Sequence, residues 1–117
     1  MNSSTPSAAP TRLAALAALY CNPGAPRLGA TELKTELGAL SGWTLTAGKI
    51  EKTFRFANWY ETIAFVNAVA WIANRQDHHP DLSAHYDHCD VAWSTHDAGG
   101  ITLNDCICAA RVEQLLA

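Results

Sequence analysis

The sequence predicts an α+β fold: a four-stranded antiparallel sheet with three helices packed on one face. The expected order is helix, strand, strand, helix, strand, strand, helix. Three observations predict it. Residues 41–56 and 82–95 each alternate apolar and polar side chains on both sides of a turn signal, as hairpins do. A longer apolar-rich segment separates these two stretches. Capping signatures at Asn58 and Thr102 open helices after each strand pair. Hairpin strands with helices between them form antiparallel sheets covered on one side.

Residues 1–11 are rich in Ser, Pro and Ala and read as a disordered lead-in. Leu13, Leu16 and Leu19 or Tyr20 then keep a helical rhythm. "NPGAPRLG" (22–29) breaks it. We therefore expect residues 1–30 to be a flexible or partly helical N-terminal extension, and residues 31–117 to be the domain. Thr31 suits the N-cap of a helix to about Leu40, with Leu33, Leu37 and Leu40 on one face. In 41–56, Trp43 and Leu45 alternate with threonines, Ala47-Gly48 makes a tight turn, and Ile50, Phe54 and Phe56 share a face. Lys52 intrudes on that face, which a sheet edge would tolerate.

Asn58 and Glu61 form a capping box for the longest helix, which His78-His79-Pro80 stops. Apolar residues cover well over half its circumference, so it is expected to be sandwiched. "LSAHY" (82–86) and "CDVAWST" (89–95) follow as short strands, and "HDAGG" (96–100) as a loop. Thr102 and Asp105 box the last helix, to about Leu116, with Ile107, Cys108, Val112 and Leu115 inward and Arg111 intruding.

Charge narrows the function classes. The 117 residues carry a net charge of −3, and the basic excess of a nucleic-acid footprint is missing. The run "LAALAALY" is too short to span a bilayer. Tyr20 is a bulky neighbour for a cleavage site before Cys21. Cys21, Cys89, Cys106 and Cys108 are then expected as reduced thiols in the cytoplasm. No Gly-rich phosphate loop or nucleophile elbow occurs.

The five histidines carry the chemistry. His78, His79, His85, His88, Cys89 and His96 crowd into 19 residues. A zinc site would need four converging ligands, and the spacing matches no familiar chelating pattern. On one strand His85 and Cys89 would share a face with His88 opposed, so no metal is expected. Acid/base chemistry is the second reading. His78 and His79 end a helix, where the dipole favours a charged imidazole. Asp77 precedes them and can fix a tautomer. His96 ends a strand and could face the pair. Poised histidines with one carboxylate suit a dehydration or isomerisation. The third reading is surface histidines, to which His85 and His88 belong.

"DHHPDLSAHYDHC…STHDAGGITLNDC" resembles the signature of the pterin-4a-carbinolamine dehydratases. The matching residues are His78, His79, Pro80, Tyr86, Thr95, His96 and Asp105. "GW" (42–43), "IEKTFRF" (50–56) and "AFVNAVA" (64–70) fit as well, and the likeness spans about 31–116. The resemblance implies a 4a-hydroxytetrahydropterin substrate that loses its hydroxyl as water to give quinonoid dihydropterin. It assigns acid and base roles jointly to His78, His79 and His96, with Asp77 as orienter. Asp77, Pro80, Ser94, Thr95 and Asp97 would meet the pterin. Asp105 reads as a capping residue and Tyr86 as packing. No cofactor is implied beyond the pterin, which is the substrate. Homodimers or homotetramers are implied. So is an alternative, since family members also serve as RuBisCO-assembly factors in carboxysome-bearing bacteria or as coactivators, with a protein partner. Asn74 departs from the pattern, which has a charged residue four positions before His78.

Overall fold

Two tight hairpins set the sheet. The computed structural model describes residues 11–117, so the lead-in at 1–10 lies outside the described residues. β1 (Thr44–Thr46) and β2 (Lys49–Arg55) are joined by Ala47 and Gly48, with φ of 52° and 79°. Two successive left-handed residues give a turn whose twist matches that of the strands. β3 (Asp81–Ala84) and β4 (His88–Trp93) form the second hairpin. β2 and β4 pair antiparallel, giving the order β1-β2-β4-β3.

Alternation along the central strands separates two faces. Ile50, Phe54, Cys89, Val91 and Trp93 are buried on the helix side. Glu51, Thr53, Arg55, His88 and Asp90 stand on the other. Lys52 is on the helix side of an interior strand, so an edge does not explain it. Glu113 does: its carboxylate accepts from Lys52 Nζ at 2.7 Å and from Trp43 Nε1 at 2.9 Å. An ion pair with an added hydrogen bond offsets the cost of half-burying the ammonium.

Among the described residues there are four α-helices, of which the last two pack against that side. α1 (Arg12–Ala17) starts at Thr11, whose Oγ1 accepts from Ala14 N at 3.1 Å. α2 (Ala30–Ala39) has Gly29, not Thr31, as its N-cap, because Glu32 Oε1 reaches back to the Gly29 N–H at 3.1 Å. α3 (Trp59–Gln76) is capped by Asn58, whose Oδ1 accepts from Glu61 N at 2.9 Å. α4 (Leu103–Gln114) opens at Thr102 with the expected Asp105 box.

The enclosed helix is α4, not α3. From Cys106 to Ala110, and again at Val112, α4 exposes at most 1%. Small side chains (Cys106, Cys108, Ala109, Ala110) let neighbours approach it closely. α3 and β4 cover one side of it and α1 the other, where Leu16 is fully buried. Burying such a leucine contributes about 2 kcal/mol. α3 instead buries a single stripe (Phe65, Val69, Ile72, Ala73) and leaves Tyr60 82% and Trp71 63% exposed.

Candidate active site

The end of α3 turns His78 into the fold. Asp77 adopts the left-handed conformation (φ 49°, ψ 43°), which Asp tolerates better than most residues. The His78 N–H then donates to Ala73 O at 3.1 Å, closing the last turn. Pro80 has no N–H and prevents the helix from resuming. The reversal lays the His78 ring parallel to buried Trp93, with centroids 5.6 Å apart.

Asp105 receives that ring. Its Oδ1 lies 2.5 Å from His78 Nε2. Its Oδ2 accepts from Thr102 N at 2.9 Å and from Thr95 Oγ1 at 2.8 Å. The two threonine hydroxyls meet at 2.8 Å. Asp105 is fully buried and the His78 side chain is 14% exposed. One carboxylate thus caps α4, ties down Thr95 and fixes the His78 tautomer with Nε2–H on Asp105. The His78 pKa is raised above the ordinary histidine value, first by the hydrogen bond to Asp105 and against the cost of burial. The negative charges of Asp105, Cys21 and Asp77 add to the rise.

The segment after α1 forms a wall. Cys21 N donates to Gln76 Oε1 at 2.9 Å. Asn22 and Asn104 pair in both directions, at 3.0 and 2.8 Å. Cys21 Sγ sits 3.6 Å from Cys108 Sγ, and that contact, aided by His78, lowers the Cys21 thiol pKa despite burial. Thr95 and Gly100 bridge across the turn His96–Ala98. At Gly100 a Cβ would stand 2.7 Å from Arg27 Cδ, so the exposed Arg27 side chain packs over the glycine. A cavity of about 350 Å³ lies between Gly24–Arg27 and Thr95, Asp97, Ala98 and Asn104. That volume is within the range of small-molecule sites. A larger groove of about 460 Å³ lies around Glu51 and Thr53, away from His78.

The sequence-derived residues separate into two groups. His78 and Thr95 meet through Asp105, and Thr95 and Asp97 line the cavity. His79, His96 and Asp77 are exposed, while Pro80 and Ser94 are half-buried. Among the described residues no side-chain hydrogen bond ties His79, His96, Asp77, Ser94 or Asp97 to another group. The carboxylate that orients His78 is Asp105 rather than Asp77, because the left-handed turn leaves Asp77 facing solvent. Asp105 was legible as a cap, and its second oxygen was the missed signal. Asn74 is exposed on the last turn of α3. Tyr86 is 66% exposed rather than packed. His85 and His88 do not oppose each other. The His85 N–H donates to His88 O at 2.8 Å across the hairpin, which places both rings on the face that also carries Asp90. That face of β4 is opposite the one that carries Trp93 and His78.

Comparison with known proteins bears on the whole domain. Residues 26–115 match the family model described as pterin 4 alpha carbinolamine dehydratase. A relative in Chromobacterium violaceum, provisionally named pterin-4-alpha-carbinolamine dehydratase, is 54% identical over 83% of this chain and 92% of its own. One of the same provisional name in Paracidovorax citrulli is 61% identical over 77% and 81%. Among solved structures, a transcriptional coactivator/pterin dehydratase from Brucella melitensis superposes with a TM-score of 0.74 at 29% identity, over 78% of this chain and 99% of that one. A pterin dehydratase-like RuBisCO assembly factor of the alpha-carboxysome is similar in fold, with a TM-score of 0.52 at 20% identity, over 62% and 84%.

Proposed function

Because the chain belongs to the pterin 4 alpha carbinolamine dehydratase family, we propose that it removes water from a 4a-hydroxytetrahydropterin. In that reaction the C4a–O bond breaks as the leaving hydroxyl gains a proton. N5 loses its proton, and the C4a=N5 double bond of quinonoid dihydropterin forms. The observation that carries the proposal is the His78–Asp105 pair. Asp105 raises the His78 pKa and so favours the imidazolium, the form a general acid needs. His79 follows His78 in sequence and His96 follows Thr95; both are exposed, and in this reading they meet the ring and its N5 proton. Thr95 and Asp97, on the neighbouring cavity, are suited to hydrogen-bond the pterin edge, with Ser94, Asp77 and Pro80 adjoining. The reaction needs no cofactor beyond the substrate.

We further propose a cytoplasmic homodimer or homotetramer. No described helix is long and apolar enough to cross a membrane. Exposed Trp59, Tyr60 and Trp71 on α3 give self-association an apolar surface. The same aromatics, with Asn74 in place of a charge, favour a second reading: a weakly active family member that binds a protein partner, in assembly or coactivation.

Dehydration of synthetic 4a-hydroxytetrahydropterin, followed against its spontaneous rate, separates the two. The enzyme reading expects wild type to exceed a His79→Ala/His96→Ala double variant by at least about 100-fold, the scale of positioned acid/base catalysis. Equal rates for the two proteins would leave the partner-binding reading standing.

A further inference from the structure

The β3–β4 hairpin carries a second histidine cluster that the dehydration does not use. His85 and His88 stack with centroids 4.2 Å apart and planes 9° from parallel. One ring nitrogen of each and a carboxylate oxygen of Asp90 lie within 4.8 Å of one another. We propose that His85, His88 and Asp90 form a binding site for a divalent transition ion of the zinc class. Two imidazoles and a carboxylate are a donor set this ion takes with a fourth position left to water. Tetrahedral ligands at 2.0–2.1 Å from zinc stand about 3.4 Å apart, so small side-chain rotations close the site. His85 Nε2 and Asp90 Oδ2 are already at 3.7 Å.

The surroundings are arranged as an outer shell. Asp87 Oδ1 meets His88 Nδ1 at 2.9 Å, which fixes the tautomer whose Nε2 carries a free lone pair. Thr53 Oγ1 donates to Asp90 Oδ1 at 2.5 Å, orienting the carboxylate. Ser83 Oγ lies 3.0 Å from His85 Nε2 and can shift to a bound water. All these groups share one face of the sheet because residues 83 and 85 pair across from 90 and 88. Arg55, opposite His88 on β2, adds a positive charge that the Asp87 carboxylate faces.

The test is a titration of the tag-free, chelator-stripped full chain with zinc chloride. Calorimetry reads the binding, and ¹⁵N spectra of the imidazoles locate it. We expect one equivalent bound, with shifts at His85 and His88 and none at His78. His85→Ala and His88→Ala should each weaken binding at least about tenfold, and Asp87→Asn about tenfold through the outer shell. The spectra on the wild-type chain keep the test decisive if a variant folds poorly. Zinc that leaves the His85 and His88 signals unmoved, or that binds equally to both alanine variants, overturns the proposal.

Discussion

Two histidine clusters occupy opposite faces of β4, and what holds each one differs. On the helix face His78 stacks on Trp93 and ends on Asp105, a carboxylate with no exposure and two further donors. On the open face His85 and His88 stack on each other among half-exposed or exposed carboxylates. The residue types are the same and the consequences differ, because burial decides the strength of a charge interaction. A buried carboxylate favours the protonated form of its histidine. An exposed one leaves the ring's lone pair open to a hydrogen-bond donor or a metal ion.

The sharpest way to break this contrast is to remove a carboxylate on each side. Asp105→Asn leaves the imidazolium and at least one donor without their partner, and such losses cost about 3 kcal/mol. A urea midpoint falling by that equivalent, with a drop in dehydration rate, is the expected outcome. Asp87→Asn on the fully exposed side should leave the urea midpoint unchanged. Equal effects of the two substitutions would contradict the contrast.

The pH dependence of stability comes next in size. His78 is raised in the folded state, so its stabilisation is complete below the ordinary histidine range near 6.5 and is lost as pH rises through the folded value. Asp87 is lowered from 3.8, first by its hydrogen bond to His88, so any contribution it makes is present above that value and lost in acid. Urea midpoints across pH should show the gap between wild type and Asp105→Asn widest at and below neutral pH, narrowing as pH rises through the folded His78 value. Asp87→Asn should follow wild type, because Asp87 is fully exposed, and any small gap should lie above the Asp87 value and close in acid.

Asn74→Glu is the mildest intervention. A carboxylate on the last turn of α3 adds negative charge on the side of His78 without touching the hairpin. We expect the dehydration rate to rise by less than about tenfold, equivalent to 1.4 kcal/mol, and zinc binding at His85/His88 to stay as it was. A larger gain would show Asn74 to be the main brake on activity.

The sheet was legible in the sequence because a period of two and paired turn signals survive any packing detail. Asn58, Thr102 and the Ala47-Gly48 turn fell where local chemistry puts them. What the pattern could not say was which helix would be enclosed. α3 is richer in large apolar residues, yet α4 is enclosed because its cysteines and alanines admit α1 as a second cover. The roles of Asp105 and Lys52 were hidden for a related reason. Each depends on a partner far along the chain, His78 and Glu113, and local spacing does not encode such contacts. A period of two along one strand opposes His85 and His88, whereas the hairpin register sets them side by side.

Asp105 favours the protonated form of His78. A ¹⁵N titration of the His78 imidazole in wild type and Asp105→Asn tests that directly. The predicted result is a His78 midpoint above the ordinary histidine range in wild type that falls in the variant, with Nε2 protonated throughout the wild-type titration. A wild-type midpoint at or below about 6.5, or one that Asp105→Asn leaves in place, would contradict it.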